Sequence, residues 1–361
     1  MKIITIIGAR PQFIKAAVVS REIMTRENEI SEIIVHTGQH FDSNMSDIFF
    51  SELDIPRPLF HLGIGGGTHG QNTGRMIEAI EQVLMKEKPS IVLVYGDTDS
   101  TLAATIASVK LHIPIAHVEA GLRSFNRKMP EEINRVLTDH ASDLLFTPTE
   151  TAAKNLALEG IAGKKVKQAG DVMYDAALYY GSKVEQLSSL LTQLGIHSKK
   201  YMLLTLHRAE NADNKERLDA IIGGLEHYPN DIVWPLHPRT KKMLDVFGIR
   251  LSSKIKLIEP VGYLDMIMLE KHAELIATDS GGVQKEAYFH QVPCITMRDE
   301  TEWKELVHCG ANTVTGANTR QIIDALDLLG GIDQSVFSLP LYGDGHAGKK
   351  IVDHLIKFHS R

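Results

Sequence analysis

Residues 91–140 read IVLVYGDTDSTLAATIASVKLHIPIAHVEAGLRSFNRKMPEEINRVLTDH, and here an apolar run twice ends in a cluster of acidic and basic residues. Asp97 follows the run 91–95, Glu119 follows the run 113–118, and Glu131 opens a helical pattern after Pro130. Short apolar runs alternating with helical segments are the signature of strands buried on both faces of a parallel sheet. If the two runs are neighbouring strands, their carboxyl ends bring Asp97 and Glu119 to one crevice, the usual position of an α/β active site. Three carboxylates converging on a crevice point to proton transfer.

The same alternation continues in both directions. Strand-like runs at 3–7 and 33–36 precede the stretch, with a helical pattern at 11–26 between them, and a run at 143–146 closes the first half before a helix at 150–158. Residues 166–171 read as the passage into a second domain, where runs at 202–206, 232–236, 255–258, 274–278 and 293–297 repeat the pattern. The expectation is an α/β protein of two Rossmann-like domains facing a cleft. The first comprises residues 1–168, with the helical segment 348–361 packing back on it, and the second residues 169–347. Residues 62–74 hold six glycines; no strand runs directly into them, so a mobile loop is the plainer reading and a phosphate cradle the alternative.

A length of 361 residues exceeds what one core usually supports, in keeping with two domains. Hydrophobic residues at 43% and charged residues at 23% are ordinary for a globular chain, and a formal charge of −6 offers no electrostatic case for nucleic acid. Cys294 and Cys309 are too few for a disulfide framework, and the opening MKIITIIGARP is too short in apolar residues for a signal peptide or a membrane span. A cytoplasmic protein with no membrane partner is expected.

Gly8-Ala9-Arg10-Pro11 follows the first run, and Pro11 suits a first helical turn. Arg10 and Lys15 beside that helix N-terminus offer an anion site, the alternative being a tight turn with a solvated lysine. Asp279-Ser280-Gly281-Gly282 lies between a strand and a helical pattern, so backbone N–H groups and the Ser280 hydroxyl can cradle a second phosphate. Glu286, one turn on, can accept from ribose hydroxyls, an exposed helical glutamate being the plainer reading of that residue alone. His207 and His237 each follow a strand and stand beside an arginine, which places both at the cleft, with a purely structural role as the alternative for each. Neither has the short-spaced partners of a zinc motif, so no metal is expected. A nucleoside diphosphate held between two domains satisfies both cradles.

Together these residues resemble the non-hydrolysing UDP-N-acetylglucosamine 2-epimerases, a family with the two-domain glycosyltransferase-B fold. The likeness runs through Gly8-Ala9-Arg10-Pro11 with Lys15, Gly96-Asp97-Thr98, His117-Val118-Glu119-Ala120-Gly121-Leu122-Arg123, Pro130-Glu131-Glu132 with Asn134-Arg135, His207-Arg208, Asp279-Ser280-Gly281-Gly282 with Gln284 and Glu286, Met297-Arg298-Asp299 and Tyr342-Gly343-Asp344-Gly345. The resemblance implies a cofactor-free homodimer that eliminates UDP to a 2-acetamidoglucal and adds it back with C2 protonated on the opposite face. It implies Asp97, Glu119, Glu131 and His207 as catalytic, and Arg10, Lys15, Arg135, His237, Ser280, Gly281, Gly282 and Glu286 as contacts to UDP and substrate.

Ala9, Gln12, Ala209 and Arg127-Lys128-Met129 depart from the common family pattern. With GARPQFIKAA, LHRAEN and PLHPRT, they resemble the branch acting on UDP-2,3-diacetamido-2,3-dideoxyglucuronate for surface polysaccharide such as O-antigen. In that branch Arg127 or Lys128 would meet the uronate carboxylate; a solvated basic loop is the plainer alternative. Two rival activities remain open on the same fold: a hydrolysing 2-epimerase and a UDP-sugar glycosyltransferase.

Overall fold

The apolar runs fold as parallel strands in two separate sheets. The computed structural model describes residues 1–39, 53, 55–328 and 331–360, and the chain divides into two units, Met1–Ala176 with Pro340–Arg361, and Ala177–Leu339. The first unit holds β1 (Lys2–Ile7), β2 (Ser31–His36), β3 (Phe60–His61), β4 (Ile91–Tyr95), β5 (Ile115–Val118), β6 (Leu144–Thr147) and β7 (Val166–Gln168), in the spatial order β3-β2-β1-β4-β5-β6-β7. The second holds β8 (Tyr201–Thr205), β9 (Asp231–Pro235), β10 (Ile255–Ile258), β11 (Leu275–Thr278), β12 (Cys294–Thr296) and β13 (Asn312–Val314), ordered β10-β9-β8-β11-β12-β13. Every pairing is parallel.

Both sheets are doubly wound, and in each the strand order reverses at one place: between β1 and β4 in the first unit, and between β8 and β11 in the second. Loops leaving adjacent strands at such a point diverge to opposite faces and open a crevice at the carboxyl ends. The residues that follow β1 and β4 are Gly8-Ala9-Arg10 and Gly96-Asp97; those that follow β8 and β11 are Leu206-His207-Arg208 and Asp279-Ser280. Both crevices are therefore lined by residues that the sequence singles out.

Packing holds these loops in place. All five residues of β4 are buried, and Val92 and Val94 pack with Ile4 and Ile6 against Met76 and Ile80 of the helix His69–Glu87 and Ala103, Ala104 and Ala107 of the helix Asp99–Lys110. Each large aliphatic side chain so buried contributes about 1.5–3 kcal/mol. The small alanines bring the second helix close to the sheet, which fixes its first residue, Asp99, near the end of β4. The final helix, Ala347–His359, belongs to the first unit. Arg26 and Asp353 form a 2.6 Å ion pair there, and Gly348 lies so close to Val18 that a Cβ would sit 2.7 Å from its Cγ1.

Three short strands escape detection from apolar runs. β3, β7 and β13 span two or three residues each and read partly polar, as FH, VKQ and NTV; β7 lies inside the segment expected as a linker. The glycine-rich segment 62–74 is also corrected, because the helix His69–Glu87 starts within it. Thr68 and Gln71 close a capping box, with the Gln71 N–H donating to Thr68 Oγ1 at 3.3 Å and the Thr68 N–H to Gln71 Oε1 at 3.2 Å. That box offsets the cost of Gly70 and Gly74 inside a helix, about 1 kcal/mol each. No helix among the described residues is long and apolar enough to cross a membrane.

Candidate active site

The site of the first unit is built on two consecutive strand ends. β4 leaves through Gly96 at φ +62°, a conformation that favours glycine, and a Cβ there would come within 3.2 Å of both Glu119 Oε2 and Lys15 Nζ and press on that pair. β5 leaves through Glu119 at φ +74°, a left-handed conformation that costs a non-glycine residue about 1–2 kcal/mol. The strain is held by a buried polar network. His117 places Nδ1 2.7 Å from Asp139 Oδ1 and Nε2 2.8 Å from the Gly96 carbonyl oxygen. Arg123 donates to Asp139 Oδ2 at 2.7 Å and forks onto Glu159 with two further bonds of 2.7 Å.

Each strand-end carboxylate has its own cation. Lys15 donates to Glu119 and Arg135 to Asp97, so these two basic residues, expected at a diphosphate, are also partners of the carboxylates. Burial raises the Asp97 carboxyl above its usual range; Arg135 opposes the shift and the charge of Glu119 adds to it. A carboxylate raised in this way binds a proton more readily than a free aspartate, while 30% of its side-chain surface stays accessible. Glu131 is exposed in the first turn of the helix Pro130–Ala141. Its neighbour Glu132 is buried and accepts from the Ser124 N–H and hydroxyl and the Phe125 N–H, each at 2.9 Å, which sets the loop ahead of Glu131. Arg127 and Lys128 are exposed on that loop.

Arg10 opens the helix Arg10–Met24. Gln12 caps it: its Oε1 accepts from the N–H groups of Gly8 and Ala9 at 2.8 and 3.0 Å, and its Nε2 donates to the Tyr95 carbonyl and Thr101 Oγ1 at 2.8 and 3.0 Å. A side chain that both accepts and donates joins β1, β4 and two helices. It also occupies two N–H groups that the sequence reading left to a phosphate.

In the second unit Asp279 is fully buried and gathers the loops at its switch point. It accepts from the backbone N–H of His207 at 3.1 Å and of Arg208 at 3.0 Å, with Asn211 Nδ2 at 3.3 Å. The His207 ring keeps 46% of its surface, with Nδ1 3.5 Å from Asp279. His237 lies beside it, ring centres 6.1 Å apart; burial, then His207 and Arg239, hold its imidazole below the ordinary value. Ser280 is the N-cap of the helix Gly281–Phe289 and makes no side-chain cap bond. The N–H groups of Gly281 and Gly282 thus open a helix whose dipole favours an anion, and Glu286 lies over the same turn, its Oε2 3.9 Å from a Cβ built at Gly282.

Sequence reasoning missed several residues that hold this arrangement. Asp139 reads as an ordinary residue of an amphipathic helix, and Asp99 as a first-turn acid that complements the helix dipole. Asn134 donates to the Asp97 carbonyl at 3.0 Å and to Asp99 Oδ1 at 3.2 Å, and His69 Nδ1 lies 2.8 Å from Asp99 Oδ2. The hydrogen bond and charge of Asp99, with a smaller effect of Glu131, raise the His69 imidazole above its ordinary value. Of these residues only Asn134 carried a signal, as one of the motif positions quoted for the family resemblance. No cluster of three or more metal-binding side chains occurs among the described residues.

The family model for UDP-N-acetylglucosamine 2-epimerase matches residues 22–356. The chain is 53% identical to the UDP-2,3-diacetamido-2,3-dideoxy-D-glucuronate 2-epimerase of Pseudomonas aeruginosa, over 99% of this chain and 100% of that one. It is 48% identical to the UDP-N-acetylglucosamine 2-epimerase of Methanocaldococcus jannaschii, over 98% of each. A solved structure of the Methanocaldococcus jannaschii enzyme, in complex with UDP-GlcNAc and UDP, superposes with a TM-score of 0.87 at 46% identity, covering 98% of this chain and 99% of that one. The Neisseria meningitidis enzyme bound to UDP-GlcNAc superposes with a TM-score of 0.88 at 33% identity, covering 99% and 100%. With a parallel sheet in each unit and the glycosyltransferase-B-like fold of these enzymes, the chain belongs to the UDP-N-acetylglucosamine 2-epimerase family and is an isomerase of that type.

Proposed function

We propose that the protein inverts C2 of UDP-2,3-diacetamido-2,3-dideoxy-glucuronate to give the mannuronate epimer, without hydrolysis. A carboxylate takes the C2 proton as the C1–O bond breaks and UDP departs, leaving a 2-acetamidoglucal. UDP then re-forms the C1–O bond while C2 takes a proton on the opposite face. Each face needs a proton-transfer group; these are drawn from the three carboxylates Asp97, Glu119 and Glu131, with His207 meeting the leaving diphosphate or supplying the second proton. Arg10, Lys15, Arg135 and His237, with the Ser280-Gly281-Gly282 turn, retain the diphosphate between the steps, and Glu286 takes the ribose.

The observation that carries the choice of substrate is the full-length 53% identity to the diacetamidoglucuronate enzyme. The paired carboxylates, each backed by a cation, support the chemistry. A second substrate, UDP-GlcNAc, is favoured by the 48% identity to the Methanocaldococcus jannaschii enzyme. NMR of the product formed in deuterated water from each sugar nucleotide separates them. Deuterium at C2 with UDP still attached is the expected result for the uronate. Stoichiometric free UDP would replace this reading with a hydrolysing epimerase, and an unchanged C2 with a transferase. We also place the activity in the cytoplasm, in keeping with a chain of only two cysteines, and in a homodimer supplying surface-polysaccharide assembly, as the family resemblance implies.

A further inference from the structure

A uronate brings one more negative charge to a region already holding Asp97, Glu119 and Glu131, and that charge needs a cation of its own. The nearby basic residues are largely committed: Lys15 to Glu119, Arg135 to Asp97 and Glu132, and Arg123 to Asp139 and Glu159. Arg127 and Lys128 stand exposed on their loop, and no described side-chain bond ties either to the carboxylates.

His69 also has a carboxylate partner, but only one of its two ring nitrogens is used and most of its side chain stays exposed. Its Nδ1 is bound to Asp99, whose side chain is only 7% exposed, while the His69 side chain keeps 71% of its surface. Asp99 is in turn tied through the Asn134 amide to the carbonyl of Asp97, and Glu131 is close enough for its charge to act on the ring. The ring is thus mounted on the framework that positions the proposed catalytic carboxylates, and among the described residues its second nitrogen has no hydrogen-bond partner. His69 also opens the helix His69–Glu87, whose dipole favours an anion at this end.

From the bond between His69 and buried Asp99 beside Asp97, we infer that His69 recognises the C5 carboxylate of the substrate and sets the preference for a uronate over a neutral sugar. The hydrogen bond and charge of Asp99 favour the cationic form of the imidazole, the form that an anionic substituent would meet. The inference rests on the uronate reading given above.

The test compares kcat/KM for UDP-2,3-diacetamido-2,3-dideoxy-glucuronate and for UDP-GlcNAc in the wild-type protein, His69→Gln, His69→Lys and the double variant Arg127→Ala/Lys128→Ala. The expected result is a fall in the uronate-to-GlcNAc ratio on the order of 10- to 100-fold in His69→Gln, carried by KM for the uronate and partly recovered in His69→Lys. Equal losses on both substrates, or a ratio moved only by the Arg127/Lys128 variant, overturn the role of His69 while the uronate activity stands. A wild-type protein that turns over UDP-GlcNAc alone overturns the uronate reading, and this inference with it.

Discussion

His117 and Asp139 meet in complete burial, with Nδ1 2.7 Å from Oδ1 and neither side chain touching solvent. The other Asp139 oxygen receives Arg123 Nη1 at 2.7 Å and the Gly121 N–H at 3.0 Å. One carboxylate thus ties down both flanks of the segment that carries Glu119 in its left-handed conformation.

Asp139→Ala is therefore expected to leave His117 Nδ1 without its partner and Arg123 with Glu159 as its one carboxylate, and to cost roughly 3–5 kcal/mol of stability. Urea denaturation of the two proteins measures it; a loss below about 1 kcal/mol would contradict the assignment. Burial alone would raise the Asp139 carboxyl, but His117 and Arg123 hold it below its usual value. Its contribution is present above the ordinary carboxylate range and disappears as the pH falls through the folded-state value.

Asp97→Asn and Glu119→Gln each remove a proton-transfer group and keep its shape. Activity on the preferred sugar nucleotide is expected to fall about 10²–10⁴-fold in each, with circular dichroism unchanged. If both variants retain wild-type rates of C2 deuteration, the carboxylates are not the proton-transfer groups.

Gln12→Leu removes a side chain that satisfies two N–H groups and a carbonyl at once. Each buried group left unpaired costs about 1–3 kcal/mol, and the Gly8-Ala9-Arg10 turn loses its anchor. A lower Tm and a raised KM for the sugar nucleotide are expected together. A drop in Tm with KM unaltered would mean that the turn keeps its geometry without the cap.

Buried His290 and Glu270 face each other at 3.8 Å in the second unit. Burial, reinforced by Lys271, Lys199 and His272, lowers the His290 imidazole to about 3. Burial and the charge of Glu286 push the Glu270 carboxyl well up. The stability from neutral His290 is present above pH about 6.5 and lost towards pH 3, by about 1.4 kcal/mol per unit for one proton. That from protonated Glu270 is present below about 4.5 and lost as the pH rises through its folded-state value. Relative to wild type, His290→Gln is expected to flatten the acid side of a stability profile and Glu270→Gln the neutral side; urea midpoints between pH 3 and 8 read both. Profiles parallel to wild type would show that neither group titrates on unfolding.

The strand framework was legible because burial on both faces of a parallel sheet demands continuous apolar runs, and IVLVY at β4 is such a run. The chemistry-bearing residues were legible because they follow those runs. β3, β7 and β13 were not, since a two- or three-residue edge strand gains its place from the neighbour it pairs with rather than from its own side chains. The helix inside residues 62–74 was hidden for a related reason: its cap, Thr68 with Gln71, is a local signal, but the glycines around it argue the other way.

By itself, then, the sequence determined two doubly wound α/β halves and the residues at their strand ends, because hydrophobic periodicity and loop chemistry are local properties. Which charges meet was decided only in three dimensions. Lys15 and Glu119 are 104 residues apart, Arg135 and Asp97 38, and His69 and Asp99 30. No spacing rule joins such pairs; they meet because parallel strands carry their carboxyl ends to one side, where burial and opposite charge make pairing favourable.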